Sequence, residues 1–158
     1  MEETMPIIDH DRLAADLVRD EDRRKKPYDD ATGEELRPGD TLAGKLTVGV
    51  GWNLTDNPLP DRLIDLLLDE SISRAFRDLD HNVSWWRAMP EPAQRALANM
   101  CFNLGWPRLA GFRNMLAALR AGDYKRAAVE ALDSTWARQV GERAVRVADL
   151  YRSGGVGE

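Results

Sequence analysis

One cysteine, Cys101, and two histidines, His10 and His81, supply all the thiol and imidazole groups in a chain of 158 residues. A lone cysteine excludes an intramolecular disulfide, so bridges say nothing about redox compartment. It lies in RALANMCFNLGW, where helical apolar spacing points to a buried core thiol. The histidines are far apart and neither has ligand-spaced neighbours, so no metal site and no cofactor are expected. No glycine-rich loop leads from a strand into a helix with a lysine, which removes the usual phosphate cradle. No local Ser–His or Cys–His signature appears. No apolar run approaches a membrane span, so stable membrane insertion is not expected. The start, MEETMPIIDHDRLAADL, is acidic and has no basic segment followed by an apolar run. It therefore reads as lacking a signal peptide, with synthesis in the cytoplasm.

The net charge of −5 argues against nucleic acid as a partner. The charge is uneven. Residues 1–94 hold 12 Lys+Arg against 21 Asp+Glu, and residues 95–157 hold 10 against 5. A basic second half could meet an anionic polymer of another kind; Arg-rich solvated helix faces would give the same count.

What is present reads as one domain of mixed class, α+β, spanning 1–152. HDRLAADLVRDED carries Leu13, Ala14, Leu17 and Val18 on one helical face, with Asp9 or Asp11 as cap. Pro27 prevents its continuation. Residues 29–44 are polar and turn-rich. KLTVGVGW reads as a strand paired with a short neighbour, completing a small lobe over about 9–58. Pro60 opens a long connecting helix, about 60–80, with Leu63, Leu66, Leu67, Ile72, Ala75, Phe76 and Leu79 as apolar positions. PEPAQRALANMCFNLG, AGFRNMLAALRAG, DYKRAAVEALDSTWARQ and GERAVRVADLYRSG read as helices of a second lobe over about 85–152. Residues 153–158 read as a flexible tail.

Paired carboxylates are the remaining chemistry. Glu21 ends the first helix, and Asp29 and Asp30 follow Pro27 and Tyr28. The negative end of a helix disfavours an added anion and favours the protonated acid, which can give its proton to a leaving oxygen. A second, ionised carboxylate can act on the other face of a sugar ring. A solvated acidic helix end would look the same by spacing alone.

The segment DEDRRKKPYDD…GKLTVGVGWNLT resembles the start of the phage-type lysozymes, the endolysin glycosidases typified by the T-even phages. That pattern has a Glu at the end of the first helix, eight residues, an Asp after a Tyr, then a Thr-Ile-Gly-x-Gly strand. Eight residues separate Glu21 from Asp30, Tyr28 lies two before Asp30, and TVGVG supplies Thr47, Gly49 and Gly51. RALANMCFNLGWPRLAGFRNML and STWARQVGERAVRVADLYRSG resemble the family's later blocks, in family order.

The resemblance implies a lysozyme-like fold, with a small N-terminal lobe bearing a short sheet, joined by a long helix to a helical C-terminal lobe. It implies cleavage of the β-1,4 bond between N-acetylmuramic acid and N-acetylglucosamine in peptidoglycan. Glu21 would be the general acid, Asp30 would activate water or stabilise the sugar cation, and Thr47 would hold the water. Asn53, Phe102, Asn103 and Arg143 would touch substrate; Phe102 as a core residue and Arg143 as a solvated one are the alternatives. The protein would be a monomer that reaches the periplasmic wall through a holin and lyses the host cell. A lytic transglycosylase-like enzyme and a non-catalytic peptidoglycan-binding module are the competing readings. Two departures stand out. Positions 31–46 make the connection from Asp30 to Thr47 longer than the family's. Trp52 stands where Gly-His is usual, either stacking on a sugar or packing under the sheet.

Overall fold

A computed structural model describes residues 7–156 of the chain. It comprises two compact units, dividing between Leu63 and Ile64. The first holds helix α1 (His10–Glu21) and a three-stranded antiparallel sheet, β1 (Arg24–Asp29), β2 (Leu46–Gly49) and β3 (Trp52–Asn53), in the order β1-β2-β3. The long helix α2 (Asp61–Asn82) begins there and runs into the second unit. After a 3₁₀ turn (Trp86–Ala88) come α3 (Glu91–Leu104), α4 (Trp106–Leu109), α5 (Arg113–Arg120), α6 (Tyr124–Leu132), α7 (Thr135–Val140) and α8 (Glu142–Gly154). The class is α+β, as read from the sequence. No helix among the described residues is long and apolar enough to cross a membrane.

The expected capping of α1 falls to Asp9, whose Oδ1 accepts from the Arg12 N–H at 3.0 Å. Its apolar face is not covered: Leu13, Leu17 and Val18 are all exposed. In α2 only Ala75 and Leu79 of the seven expected apolar positions are buried. Periodicity identifies an apolar face but not what lies over it.

The expected single strand across Lys45–Trp52 is instead a hairpin. Thr47 pairs with Asn53 and Val48 with Trp52, leaving Gly49, Val50 and Gly51 as the turn. Both glycines have positive φ, 69° and 66°, which side chains other than glycine's resist. The segment Arg24–Asp29, expected only to end the helix, is a strand despite Pro27. It is an edge strand with a register shift between Arg24 and Tyr28, and such positions tolerate a missing N–H.

The core of the second unit is built from small residues on close helices. Ala93, Ala96, Leu97, Met100 and Cys101 face inward on α3, meeting Ala127, Ala128 and Ala131 on α6 and Ala144, Val147, Ala148 and Tyr151 on α8. The Tyr151 hydroxyl donates to Met100 Sδ at 3.3 Å. The run expected as one helix over 123–139 breaks at Asp133–Ser134. Ser134 donates from its hydroxyl to the Ala131 carbonyl at 2.7 Å and accepts from the Ala137 N–H at 3.0 Å, which ends α6 and caps α7. Helix α8 continues through Gly154, into the segment expected to be a tail; residues 157 and 158 lie outside the described residues, as do 1–6 at the start of the leader reading.

Cys101 is the buried thiol the sequence suggests, 2 % exposed, donating to the Ala75 carbonyl. Burial, with the nearby Asp78 charge adding, pushes it up to about 11. Native protein is therefore expected to leave an aromatic disulfide reagent unreacted at pH 8 and to titrate one thiol only after denaturation.

Candidate active site

Glu21 is the last residue of α1. The next residue, Asp22, has φ 64° and ψ 158°, a region nearly reserved for glycine. Its own Oδ1 accepts from the Arg23 N–H at 2.7 Å. The chain turns sharply there and leaves the Glu21 side chain exposed against the hairpin turn. A Cβ at Gly51 would lie 3.2 Å from Glu21 Oε2, whereas one at Gly49 would meet nothing within 4 Å. The glycines of TVGVG thus differ in role. Both serve the turn, and Gly51 also leaves room for the Glu21 carboxylate.

Asp30 follows β1 directly. Its N–H donates to the Lys45 carbonyl at 3.1 Å and its Oδ1 accepts from the Lys45 N–H at 2.6 Å. Gly44 is required beside it. A Cβ there would collide with Asp30 Oδ1 and sit 2.7 Å from Ala31 Cβ. Thr47 is buried, 3 % exposed, and lies across from Tyr28 on β1 and Asn53 on β3. Directly opposed residues share a face, so Tyr28, Thr47 and Asn53 line one side of the sheet. The Thr47 hydroxyl donates to the Lys45 carbonyl at 3.2 Å, which leaves its lone pairs to accept. Trp52 pairs with Val48, and strand alternation puts both on the opposite face from Thr47. The indole is exposed there, so it neither sits beside Thr47 nor is buried under the sheet.

Asn53 is occupied locally. Its Nδ2 donates to Asp56 Oδ2 at 2.8 Å, and its Oδ1 accepts from the N–H groups of Thr55 and Asp56. Lys45 Nζ bonds the other Asp56 oxygen at 3.0 Å. The Lys45 bond, then that of Asn53, holds the Asp56 carboxyl below the usual carboxylate range.

Three site candidates lie in the second unit. Phe102 is exposed and, with Arg143, lines a groove of about 520 Å³ that also takes in Ile72, Phe76 and Ala98. Arg143 donates from Nε to Asn99 Oδ1 at 2.9 Å, tying α8 to α3. Asn103 Oδ1 accepts from Trp136 Nε1 at 2.8 Å, and Trp136 lines a second, more polar pocket of about 480 Å³ with Arg113, Glu130 and Asp133. Glu21, Asp30, Thr47 and Asn53 thus belong to one unit, and Phe102, Asn103 and Arg143 to the other.

The residue that sequence reasoning passed over is Asp29. It is 3 % exposed, and its carboxylate accepts from the N–H groups of Ala31 (2.9 Å), Gly44 (3.0 Å) and Ala43 (2.6 Å). The Ala43 bond above all, with those of Ala31 and Gly44 adding and burial opposing, holds it below the usual carboxylate range. The signal was local: an Asp two residues before Ala31 in a turn-rich run is an Asx-turn former.

The two turn glycines yield a paired test. Gly49→Ala and Gly51→Ala should each cost roughly 1–2 kcal/mol of stability, since both positions need positive φ. Only Gly51→Ala pushes on Glu21. It should therefore lose much more of any activity that depends on Glu21, measured at a temperature where both variants are folded.

The family model for phage lysozyme matches residues 21–152. The chain is 30% identical to the pre-baseplate central spike protein Gp5 of Enterobacteria phage T4, an alignment covering 90% of this chain and 28% of that protein. It is 24% identical to the probable T4-type lysozyme 2 of Dictyostelium discoideum, covering 80% of this chain and 91% of that one. The match opens on the acid that ends α1 and closes within α8, taking in both units, and so the chain belongs to the phage lysozyme family and has its α+β, lysozyme-like fold.

Proposed function

We propose that the protein is a glycoside hydrolase, an N-acetylmuramidase that cleaves the β-1,4 bond between N-acetylmuramic acid and N-acetylglucosamine in bacterial peptidoglycan. Family membership supports the reaction class. One observation carries the site. Glu21 rests against Gly51 just beyond one end of β2, Asp30 is bonded to Lys45 just before the other, and Thr47 lies on the strand between them. In this reading Glu21 protonates the glycosidic oxygen. Asp30 takes a proton from water or stabilises the sugar cation. Thr47, with its hydroxyl proton given to Lys45, accepts a hydrogen bond from that water. Acids set at opposite ends of a strand suit the wider separation, about 6.5–9.5 Å, that leaves room for water and gives inversion.

Substrate contacts from Phe102, Asn103 and Arg143 belong to the same proposal, as do action by a monomer on the periplasmic wall, passage through a holin and host-cell lysis. The chain covers 28% of the spike protein's length and 30% of the aligned positions are identical, which favours a second biological setting. The same chemistry would then act as a wall-cutting module of a larger particle. Detection of the tagged chain in purified virions, rather than only in the lysate, separates the two settings.

Mass analysis of digested peptidoglycan tests the chemistry. Muropeptides with reducing ends are expected, and Asp30→Ala should abolish their release. Anhydro products that persist in Asp30→Ala would establish the transglycosylase reading instead, and binding without release of reducing ends would establish a wall-binding module.

A further inference from the structure

The connection from Asp30 to Thr47 leaves and re-enters the sheet by different means. Its outgoing half folds back on β1: Tyr28 bridges Glu35, the Leu36 N–H donates to the Pro27 carbonyl at 3.0 Å, and Lys26 pairs with Glu35. Among the described residues, the hydrogen bonds of the stretch 37–42 stay within it, between Arg37 and Asp40. The return to the sheet is made at Ala43 and Gly44, whose N–H groups both end on Asp29. The same carboxylate holds Ala31 at the loop's other end. Immediately past this point Lys45 meets Asp30, and two residues later Thr47 meets Tyr28.

We infer that Asp29 is a positioning residue, a clamp that closes the base of the long loop and so brings Thr47 and Lys45 back into register with Asp30. The inference rests on the roles proposed above for Asp30 and Thr47. A shorter connection would hold register by its own stiffness. Here one buried carboxylate with three backbone donors closes the loop base, next to the paired Asp30–Lys45 bonds and the β1–β2 ladder that it aligns. Neutralising the carboxylate turns an acceptor into a donor facing the Ala43 N–H. The loop base then opens and Gly44 moves away from Asp30.

Steady-state kinetics on soluble peptidoglycan fragments test this, at a temperature where circular dichroism shows each variant folded. Asp29→Asn should lower kcat by about 10²-fold, the loss typical of a displaced reacting group, with KM unchanged. A role in stability alone would leave kcat per folded molecule intact, and that result overturns the clamp. Asp30→Asn runs in parallel. If it is inactive while Asp29→Asn is fully active, only the clamp fails; if it is fully active, the reading of the site fails and the clamp with it. A second measurement needs no folded Asp29 variant. A protease site built at Pro38–Asp40 allows the loop of the otherwise unaltered chain to be cut. Retained kcat in the cut protein supports closure by Asp29, and its loss shows that loop continuity holds the register.

Discussion

Glu21→Gln is expected to slow peptidoglycan hydrolysis by about 10²–10⁴-fold, the range carried by a single general acid. The substitution keeps size and shape but removes the proton. Glu21 is exposed, is the last residue of α1, and its side chain has no hydrogen bond or ion pair among the described residues. Little in the fold depends on it, so the melting temperature should barely move. Its surroundings explain why the position suits an acid. Gly51 leaves the carboxyl room. Turbidity clearing of isolated walls reads the effect, and full clearing by Glu21→Gln would remove the residue from the role.

The largest effect on stability is expected from Trp86→Ala, about 3–5 kcal/mol, as for large aromatic truncations in cores. Trp86 is 2 % exposed. Its ring centroid lies 5.4 Å from that of Phe76, and the Arg87 guanidinium sits 4.5 Å from the Trp86 ring. Its Nε1 donates to Asp80 Oδ1 at 2.8 Å, and Arg87 grips both oxygens of the same carboxylate at 2.7 and 3.0 Å. The indole therefore ties the end of α2 to the turn that leads into α3. Trp86→Phe keeps most of the packing and should cost much less. Chemical denaturation of both variants checks the difference. Acid gives a further readout. Arg87 first, and then Trp86, hold the Asp80 carboxyl below the usual carboxylate range. The stability this contributes is fully present above the unfolded value, about 3.9, and is lost as pH falls through the lower folded value. Denaturation midpoints measured from pH 5 downward should fall less steeply in Arg87→Met than in the unaltered chain.

Much of this was legible in the residues themselves. The α1 cap, the glycine block and the α3 apolar stripe follow from short-range rules. Less legible was anything that depends on partners distant in sequence. Pro27 hides β1, because its compatibility with an edge strand is known only once the edge is known. Ser134 looks like an ordinary helical residue until its hydroxyl is seen to serve as a cap. Asp29 reads as one of many acids because two of its three donors arrive from across a loop. The exposed faces of α1 and early α2 show the reverse error, in which periodicity promises a covering layer that local sequence cannot name.

Asp22 remains at an uncomfortable backbone angle beside Glu21. A chain shaped for durability alone would carry glycine at 22. Anyone seeking a hardier variant will find that substitution early, and it alters the backbone turn beside Glu21, the proposed proton donor. Heat tolerance and turnover are thus set against each other at a single residue.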